Sequence, residues 1–343
     1  MRGNGKFYAL LLLLTAGALL LFPVCLLPAS GEPQPDGPAA STAGSSAAAE
    51  TTAVPASRDD TDTSVFLVLH ADGTRVSAIA ERDFLVYTLA AEMLPDFEEE
   101  ALKAQAVASY TYFCYERDRE LASPSEALHG ADFADTPVAY PDGYCEEYWR
   151  KKWGDEAFDR YYPRLCAAVD AVAGERILYQ GQPILAAYHA ISGGVTELPE
   201  VVWSGAFPYL QSVASPGDEL APQYETTVTL TPEALREALD GVEGLSLPED
   251  PAAWLGEAER SAAGTVLALP VGGVSLSGQE WRRRLGLRSA CFTAAYADGR
   301  FTFTVQGYGH GVGMSQYGAE YLAKAGYSYR EILQYYYKDV TVG

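Results

Sequence analysis

Residues 307–319 read GYGHGVGMSQYGA and lie between the strand-like run 301–305 and a helical run. Glycine takes every second position from Gly307 to Gly313, which matches neither a dinucleotide fingerprint nor a P-loop, and no Lys follows. Because glycine adopts backbone conformations that other residues avoid, the segment is predicted to be a close-packed turn. His310 lies among these glycines, and the local sequence leaves a structural and a functional role equally open.

Strands and helices on either side do not alternate as regular βαβ units, which favours an α+β fold. After the turn, one helix ends at Gly326 and another begins at Ser328, where Glu331 completes a capping-box pattern. The elements predicted before the turn are strands at 65–69 and 75–80, a helix at 84–93, a second helix after a capping-box pattern of Asp96 and Glu99, an irregular stretch at 120–160, strands with turns within 164–230, an acidic helical surface insertion near 231–262, and strands at 265–275 and 291–305.

Glu92 stands at the end of the first helix, in the run AAEMLP at 90–95. Apolar neighbours and the negative end of a helix both raise the pKa of a carboxyl group. A carboxyl group that stays protonated near neutral pH can act as a general acid. The alternative, which the local sequence alone favours, is a solvated Glu at a helix end.

The run YHAISGG at 188–194 passes from a strand into a glycine turn. His189 and Ser192 could be a base and a nucleophile, but no G-x-S-x-G elbow is present. Residues three apart on a strand also point to opposite faces, which argues against a serine hydrolase. The glycine pair is better explained by close approach of the backbone to a ligand or another segment.

The 343-residue chain has 24 Lys+Arg and 46 Asp+Glu, a net charge of −22. Such a chain repels phosphate backbones, so nucleic-acid binding is not expected. Of five Cys, one (Cys25) lies in the N-terminal apolar run. The other four could form two disulfides if they face an oxidising compartment, or could be free thiols.

The N-terminal residues predict a membrane-anchored protein with a tether. The uncharged run 7–27 is long enough to cross a bilayer, so 1–31 is predicted to be an uncleaved anchor, with a cleaved signal peptide as the alternative. Basic residues before it place the N-terminus in the cytoplasm and the rest of the chain outside. Residues 32–63 are rich in Pro, Ala and Thr and are predicted to be a disordered linker.

Three stretches together resemble the SpoIID/LytB family, the stage II sporulation protein D type, over about residues 64–342. They are 89–112, with LAAEMLP; 188–219, with PYLQSVASPGDE; and 276–337, with GHGVGMSQYGA and YREILQYYY. The resemblance makes 64–343 a single catalytic domain, with mixed sheets and helices around a substrate groove. It also fits the predicted anchor, because members of the sporulation type are membrane-tethered and face peptidoglycan.

The resemblance implies a lytic transglycosylase that cleaves the bond between N-acetylmuramic acid and N-acetylglucosamine in peptide-stripped glycan strands, in sporulation engulfment. Glu92 matches the family's catalytic Glu. It would protonate the glycosidic oxygen and then take a proton from the sugar's own 6-hydroxyl, which closes a 1,6-anhydro ring. The alternative function is a non-catalytic glycan binder that enhances an N-acetylmuramoyl-L-alanine amidase; an amidase or endopeptidase is the expected partner in either case.

The resemblance also implies substrate contacts by other side chains, with a fold-supporting contact as the alternative for each: Lys103, Tyr209, Asp218, Ser315 and Tyr336. For His310, it favours shaping of the turn over proton transfer. No cofactor is expected. Some family members hold zinc after the long helix, and here His129 and Cys145 remain, but a full four-ligand set cannot be identified. Gln211 and Tyr110 stand where the family commonly has Lys and Arg.

Overall fold

The computed structural model describes residues 65–70, 73–134, 145–203 and 205–343. The predicted anchor at 1–31 and linker at 32–63 lie outside the described residues. Within those ranges, no helix combines the length and the apolar character needed to cross a membrane.

The helices of the described residues include two long ones near the N-terminus and two short ones that close the chain: α1 (Glu81–Glu92), α2 (Glu99–Ala122), α3 (Glu146–Trp153), α4 (Asp155–Ala171), α5 (Pro199–Val202), α6 (Pro232–Ala238), α7 (Gly278–Leu285), α8 (Gln316–Lys324) and α9 (Tyr329–Tyr336). The strands are short: β1 (Val65–Leu69), β2 (Val76–Ala80), β3 (Phe133–Ala134), β4 (Ile177–Tyr179), β5 (Gln182–Pro183), β6 (Tyr188–His189), β7 (Glu225–Leu230), β8 (Glu259–Arg260), β9 (Val266–Val271), β10 (Val274–Leu276), β11 (Phe292–Ala297), β12 (Arg300–Gln306), β13 (Met314–Ser315) and β14 (Thr341–Val342).

These strands form several small sheets rather than one large one. The three-stranded sheets have the orders β2-β1-β3, β10-β9-β8, β11-β12-β7 and β14-β4-β5, and β13 pairs with β6. Most pairs are antiparallel, whereas β1 with β3 and β13 with β6 are parallel. The mixed arrangement confirms the predicted α+β class.

Two hydrophobic cores hold the fold together. In the first, α1, α2 and α4 pack with α8 and α9, and Phe66, Phe84 and Phe113 meet at its centre. In the second, the sheet of β7, β11 and β12 packs against Trp254 and Trp281, which are almost completely buried. Burial of apolar surface at roughly 25 cal/mol per Å² makes these two clusters the main source of stability.

The glycine-rich segment joins the two cores by running along residues 187–197. Tyr308 and Ile191 exchange backbone hydrogen bonds of 2.7 and 3.0 Å, and the N–H of Met314 donates to the carbonyl of Ala187 at 3.1 Å. At Gly313 the backbone φ is +74°, and a Cβ there would lie 2.0 Å from the oxygen of Ala187. Only glycine fits so close to a neighbouring chain, which confirms the close-packed turn.

Three predicted elements differ in the structure. The stretch 120–160 is helical rather than irregular from Glu146 onward, where α3 begins, and α4 continues to Ala171 inside the region predicted to be strand. Pro163 inside α4 and the surrounding aromatic residues hid its helical period. The capping box at Asp96 is also wrong: the N-cap of α2 is Glu98, and the carboxylate of Asp96 accepts hydrogen bonds from Arg160 and Tyr161 on α4 instead.

The acidic stretch 231–262 is α-helical over α6 only, with one further 3-10 turn at Pro251–Ala253. It is not confined to the surface, because Leu235, Leu239 and Trp254 are fully buried members of the second core. The capping box of Ser328 and Glu331 is present as predicted at the start of α9.

Candidate active site

Glu92 is the last residue of α1, as the sequence predicts. The chain becomes extended at Met93, whose N–H closes the helix on the carbonyl of Leu89 at 3.0 Å. The helix ends here because Pro95 disfavours helical backbone at Leu94, the residue before it. Glu92 therefore stands beside the unpaired carbonyl groups of a helix end.

The carboxyl group of Glu92 is buried among apolar side chains. The residue is 6% exposed, and among the described residues its Oε2 atom has no hydrogen-bond partner. Burial raises the pKa of Glu92 to about 8, and a hydrogen bond from the Gln316 side chain opposes that rise. Glu92 is consequently a neutral acid at pH 7, and the solvated alternative is wrong.

Gln316 connects Glu92 to the long helix α2. It is the first residue of α8 and is buried, and its Nε2 atom donates to Oε1 of Gln105 at 3.4 Å. Gln105 in turn donates to the hydroxyl of Ser109 at 3.0 Å. The sequence did not single out Gln316 or Gln105 as site residues. Gln316 could have been identified by its position next to Ser315 in the glycine-rich segment 307–319.

Lys103 lies on α2, half-buried and paired with acids of its own helix. Its Nζ atom is 2.6 Å from Glu99 and 3.1 Å from Glu100. Glu100 also accepts a hydrogen bond of 2.7 Å from the backbone N–H of Tyr329, at the start of α9. The substrate contact of Lys103 stays a prediction.

Asp218 is the centre of a buried hydrogen-bond network. It accepts hydrogen bonds from the backbone N–H and hydroxyl of Ser192, at 2.8 and 2.5 Å, and from the hydroxyl of Ser315 at 2.5 Å. Ser215 also donates to Asp218 and lies 2.8 Å from the hydroxyl of Tyr336. The resemblance therefore selected three residues, Asp218, Ser315 and Tyr336, that meet in space.

None of these three predicted contact residues is more than 1% exposed. Asp218 and Ser315 bind each other, Ser192 and the backbone, and the hydroxyl of Tyr336 binds Ser215, so the geometry favours the fold-supporting alternative for each of them. Ser315 also N-caps α8 through the N–H of Gly318 at 3.2 Å, which fixes the helix that presents Gln316. Their substrate contacts stay predictions.

Tyr209 lies apart from this network, in the first core. Its hydroxyl accepts a hydrogen bond of 3.0 Å from the N–H of Leu185, and its ring packs against Tyr179 and Phe207. The residue is buried. This environment also favours support over sugar contact, which remains a prediction for Tyr209.

His189 and His310 are buried close together, with ring centroids 5.7 Å apart. The backbone of Val312 binds both: its carbonyl lies 3.1 Å from Nδ1 of His189, and its N–H donates to Nδ1 of His310 at 3.1 Å. Burial lowers the pKa of His189 to about 4 and that of His310 well below its ordinary value. Two neutral rings held by one backbone segment agree with the prediction that His310 shapes the turn.

Ser192 is bound to Asp218 rather than to His189, as the argument against a serine hydrolase requires.

Three cysteines of the described residues, Cys114, Cys166 and Cys291, are free thiols. Within the same residues no three His, Cys, Asp or Glu side chains gather as metal ligands would. His129 and Cys145 flank a stretch, 135–144, that is outside the described residues. The described residues by themselves do not make up a zinc site.

A small, partly open cavity lies beside the glycine-rich segment, at Gly309–Gly311. Its lining includes Glu197, Cys291 and His310, but not Glu92. Glu197 is already engaged, since its Oε2 accepts a hydrogen bond of 2.5 Å from Ser261. The candidate active site is therefore the environment of Glu92 rather than this cavity.

Asp218→Ala should lower the free energy of unfolding by about 3 kcal/mol, because it leaves the N–H and hydroxyl of Ser192 buried without an acceptor. Urea denaturation measures this loss, and Asp240→Ala on the surface is the control. If Asp218 supports the fold, the folded variant should bind glycan strands as the wild type does. A variant of unchanged stability with lost affinity would show instead that Asp218 contacts substrate.

Comparison with known proteins identifies the family of this chain. A family model described as SpoIID, stage II sporulation protein, matches residues 71–179. Stage II sporulation protein D of Bacillus subtilis (strain 168) is 34% identical over 270 residues, covering 78% of this chain and 75% of that protein. The protein of the same name from Bacillus amyloliquefaciens is 34% identical over 268 residues, with the same coverage.

A more distant relative has a different name. The amidase enhancer of Bacillus subtilis (strain 168) is 27% identical over 303 residues, which is 73% of this chain but 39% of the longer relative. The identity and coverage of the sporulation proteins, together with the family model, are sufficient to assign the chain. It belongs to the SpoIID family of stage II sporulation proteins.

Proposed function

We propose that this protein is a lytic transglycosylase that cleaves the bond between N-acetylmuramic acid and N-acetylglucosamine in peptide-stripped peptidoglycan strands, with Glu92 as its catalytic residue. The observation that carries the proposal is the buried, protonated carboxyl group of Glu92, which has one oxygen without a partner among the described residues. Family membership and the relatives' name support a task in sporulation.

In the first step, the protonated carboxyl of Glu92 gives its proton to the glycosidic oxygen. The bond between that oxygen and C1 of N-acetylmuramic acid breaks, and N-acetylglucosamine leaves with a free 4-hydroxyl. Positive charge develops on the muramic acid ring, as in other glycoside cleavages. A group with a pKa of about 8 is almost fully protonated at pH 7 and so is ready to donate.

In the second step, the carboxylate of Glu92 takes the proton of the 6-hydroxyl on the same sugar. The 6-oxygen then bonds to C1, which closes the 1,6-anhydro ring and returns Glu92 to its protonated form. No water is consumed, so one carboxyl group serves where ordinary glycosidases need two. The attacking hydroxyl belongs to the substrate and has the proximity advantage of an intramolecular reaction.

Access to Glu92 requires movement of the side chains around it. An exposed fraction of 6% is too small for a glycosidic oxygen to reach hydrogen-bond distance in the conformation described. Catalytic hydrogen bonds commonly form only in the substrate complex, and exclusion of water strengthens electrostatic interactions within the site. Substrate binding therefore opens the cover over Glu92.

The second candidate function is enhancement of an amidase without cleavage, which the name of the more distant relative favours. Mass spectrometry of the products from purified protein and defined glycan strands separates the two functions. Release of 1,6-anhydro-terminated products by the wild type supports the transglycosylase. If no such product forms and an added amidase works faster, the enhancer function is correct.

The rate of anhydro-product release should be level up to about pH 7 and should fall about tenfold per pH unit above pH 8, because the acid must be protonated to donate. A rate measured at saturating substrate between pH 5 and pH 10 checks this. Product analysis at pH 6 before and after incubation at pH 10 controls for irreversible unfolding. A rate that rises between pH 7 and pH 9 would contradict an acid role for Glu92.

We also propose that residues 1–31 anchor the protein in the cell membrane, with the N-terminus in the cytoplasm and the catalytic domain extracytoplasmic, facing the cell wall. The apolar run 7–27 and its basic flank support this arrangement. A partner amidase or endopeptidase would supply the peptide-stripped strands, since an amidase removes the stem peptide that the proposed substrate lacks.

A further inference from the structure

A line of buried amide and hydroxyl groups leads from α2 to the carboxyl group of Glu92. Ser109, Gln105 and Gln316 are each at most 2% exposed. The hydroxyl of Ser109 lies 3.0 Å from Nε2 of Gln105, and Oε1 of Gln105 lies 3.4 Å from Nε2 of Gln316. The Gln316 side chain then hydrogen-bonds Glu92.

In the structure the line runs in one direction, from the amide nitrogen of Gln105 on Ser109 to the amide nitrogen of Gln316 on Gln105. The amide nitrogen of Gln105 donates a hydrogen bond to Ser109, so the carbonyl oxygen of Gln105 faces Gln316. That oxygen requires a donor, and Gln316 has its N–H groups on a single nitrogen. The same nitrogen has a second N–H, which is the one available to Glu92. If the Gln316 amide alone were reversed while Gln105 kept its orientation, two carbonyl oxygens would face each other in a buried site, which is unfavourable.

We propose that Gln316 is a positioning residue for Glu92, and that Gln105 fixes the direction of its amide so that an N–H donor, never a carbonyl oxygen, faces the catalytic carboxyl group. This inference rests on the function proposed above and assigns roles to two further residues. Gln105 acts only through Gln316.

The direction matters because Glu92 must work in both protonation states. A donor facing the carboxyl group stabilises the carboxylate that forms when the proton leaves, and so assists the first step. A carbonyl oxygen in that place would accept the proton of the acid and hold it back. Burial keeps Glu92 neutral at rest, and the Gln316 donor limits how far burial raises its pKa.

Gln316→Met and Gln105→Met test the proposal, since Met has a similar length and no hydrogen-bonding amide. In Gln316→Met the pKa of Glu92 should rise, and the alkaline fall of the pH–rate profile should move up by about one pH unit. The rate at pH 6 should fall about tenfold, because a hydrogen bond to the forming carboxylate is lost. Gln105→Met leaves Gln316 in place but removes the contact that orients its amide. In this variant the alkaline fall of the pH–rate profile should also move up and the rate at pH 6 should also drop, each by less than in Gln316→Met.

The matched control is Gln306→Met on β12. This part-buried amide bonds Glu225 at 3.4 Å and has no place in the line to Glu92. Its pH–rate profile should match that of the wild type. A purely structural role for Gln316 and Gln105 would lower the rate without moving the profile along the pH axis, and that outcome would overturn the proposal.

A titration of the Glu92 carboxyl carbon by NMR, on the folded Gln316→Met and Gln105→Met proteins, needs no turnover. It separates this inference from the proposed function. If the wild type releases no anhydro product but the titration moves up in both variants, the positioning contact is real and the proposed function is wrong. If the titration of both variants coincides with that of the wild type, the positioning role is refuted whatever the activity.

Discussion

Glu92→Gln should abolish the release of 1,6-anhydro products, with a loss of at least about 10³-fold, because one residue supplies both general acid and general base. Gln has nearly the same shape but neither donates a proton to the glycosidic oxygen nor takes one from the 6-hydroxyl. The affinity for glycan strands should stay close to that of the wild type. Mass spectrometry of the products and a binding measurement with the same strands check both statements.

Glu116→Gln is the matched control for this variant. Glu116 lies on α2, is also buried, and also has a carboxyl pKa raised by burial, but its Oε2 atom is paired with Arg119 at 2.5 Å. Its substitution should leave product release within about threefold of the wild type, because Glu116 bonds Arg119 and is not a member of the hydrogen-bonded line that reaches Glu92. Continued production of anhydro ends by Glu92→Gln would remove Glu92 from the mechanism.

Glu92 also makes the stability of the protein depend on pH. Melting temperatures of the wild type and Glu92→Gln at two pH values therefore test the raised pKa and show whether the variant is folded. Between its ordinary pKa near 4.5 and about 8, the unfolded chain loses the Glu92 proton while the folded chain keeps it. The wild type therefore loses stability as the pH rises through this window. Glu92→Gln removes the loss, so its melting temperature should exceed that of the wild type by more at pH 9 than at pH 5.

Gly313→Ala should lower the free energy of unfolding by at least about 3 kcal/mol and reduce product release with it. Two effects add up here. The backbone at Gly313 has φ +74°, which disfavours any residue with a Cβ, and that Cβ would lie 2.0 Å from the carbonyl oxygen of Ala187. The clash is with backbone, so relief requires β13 and β6 to separate.

Gly299→Ala isolates the conformational part of that effect. Gly299 has nearly the same backbone angle, φ +75°, but a Cβ there would meet nothing within 4 Å. Its substitution should cost about 1 kcal/mol. Urea denaturation of the two variants measures the difference; equal losses at both positions would mean that the close approach to Ala187 does not constrain the fold.

The local sequence correctly predicted those elements whose structure depends on interactions between residues close together in the chain. Strand β1 spans Val65–Leu69 as predicted, Ser328 and Glu331 form their capping box, and Glu92 ends its helix before Pro95. Each of these features depends on residues within a few positions of one another. Asp96 shows the limit, because a competing contact with Arg160 and Tyr161, more than sixty residues away, takes the carboxylate that would cap α2.

The amino-acid sequence predicted the α+β class and the position of Glu92 at a helix end, and through family resemblance it named Asp218, Ser315 and Tyr336 as candidate site residues. It did so because periodicity, capping and motif spacing are properties of neighbouring residues. The burial of Glu92, its hydrogen bond with Gln316, and the binding of Ser192 and Ser315 to Asp218 are visible only in the folded chain. Burial and hydrogen-bond direction depend on which distant segments pack together, and local sequence carries no record of that.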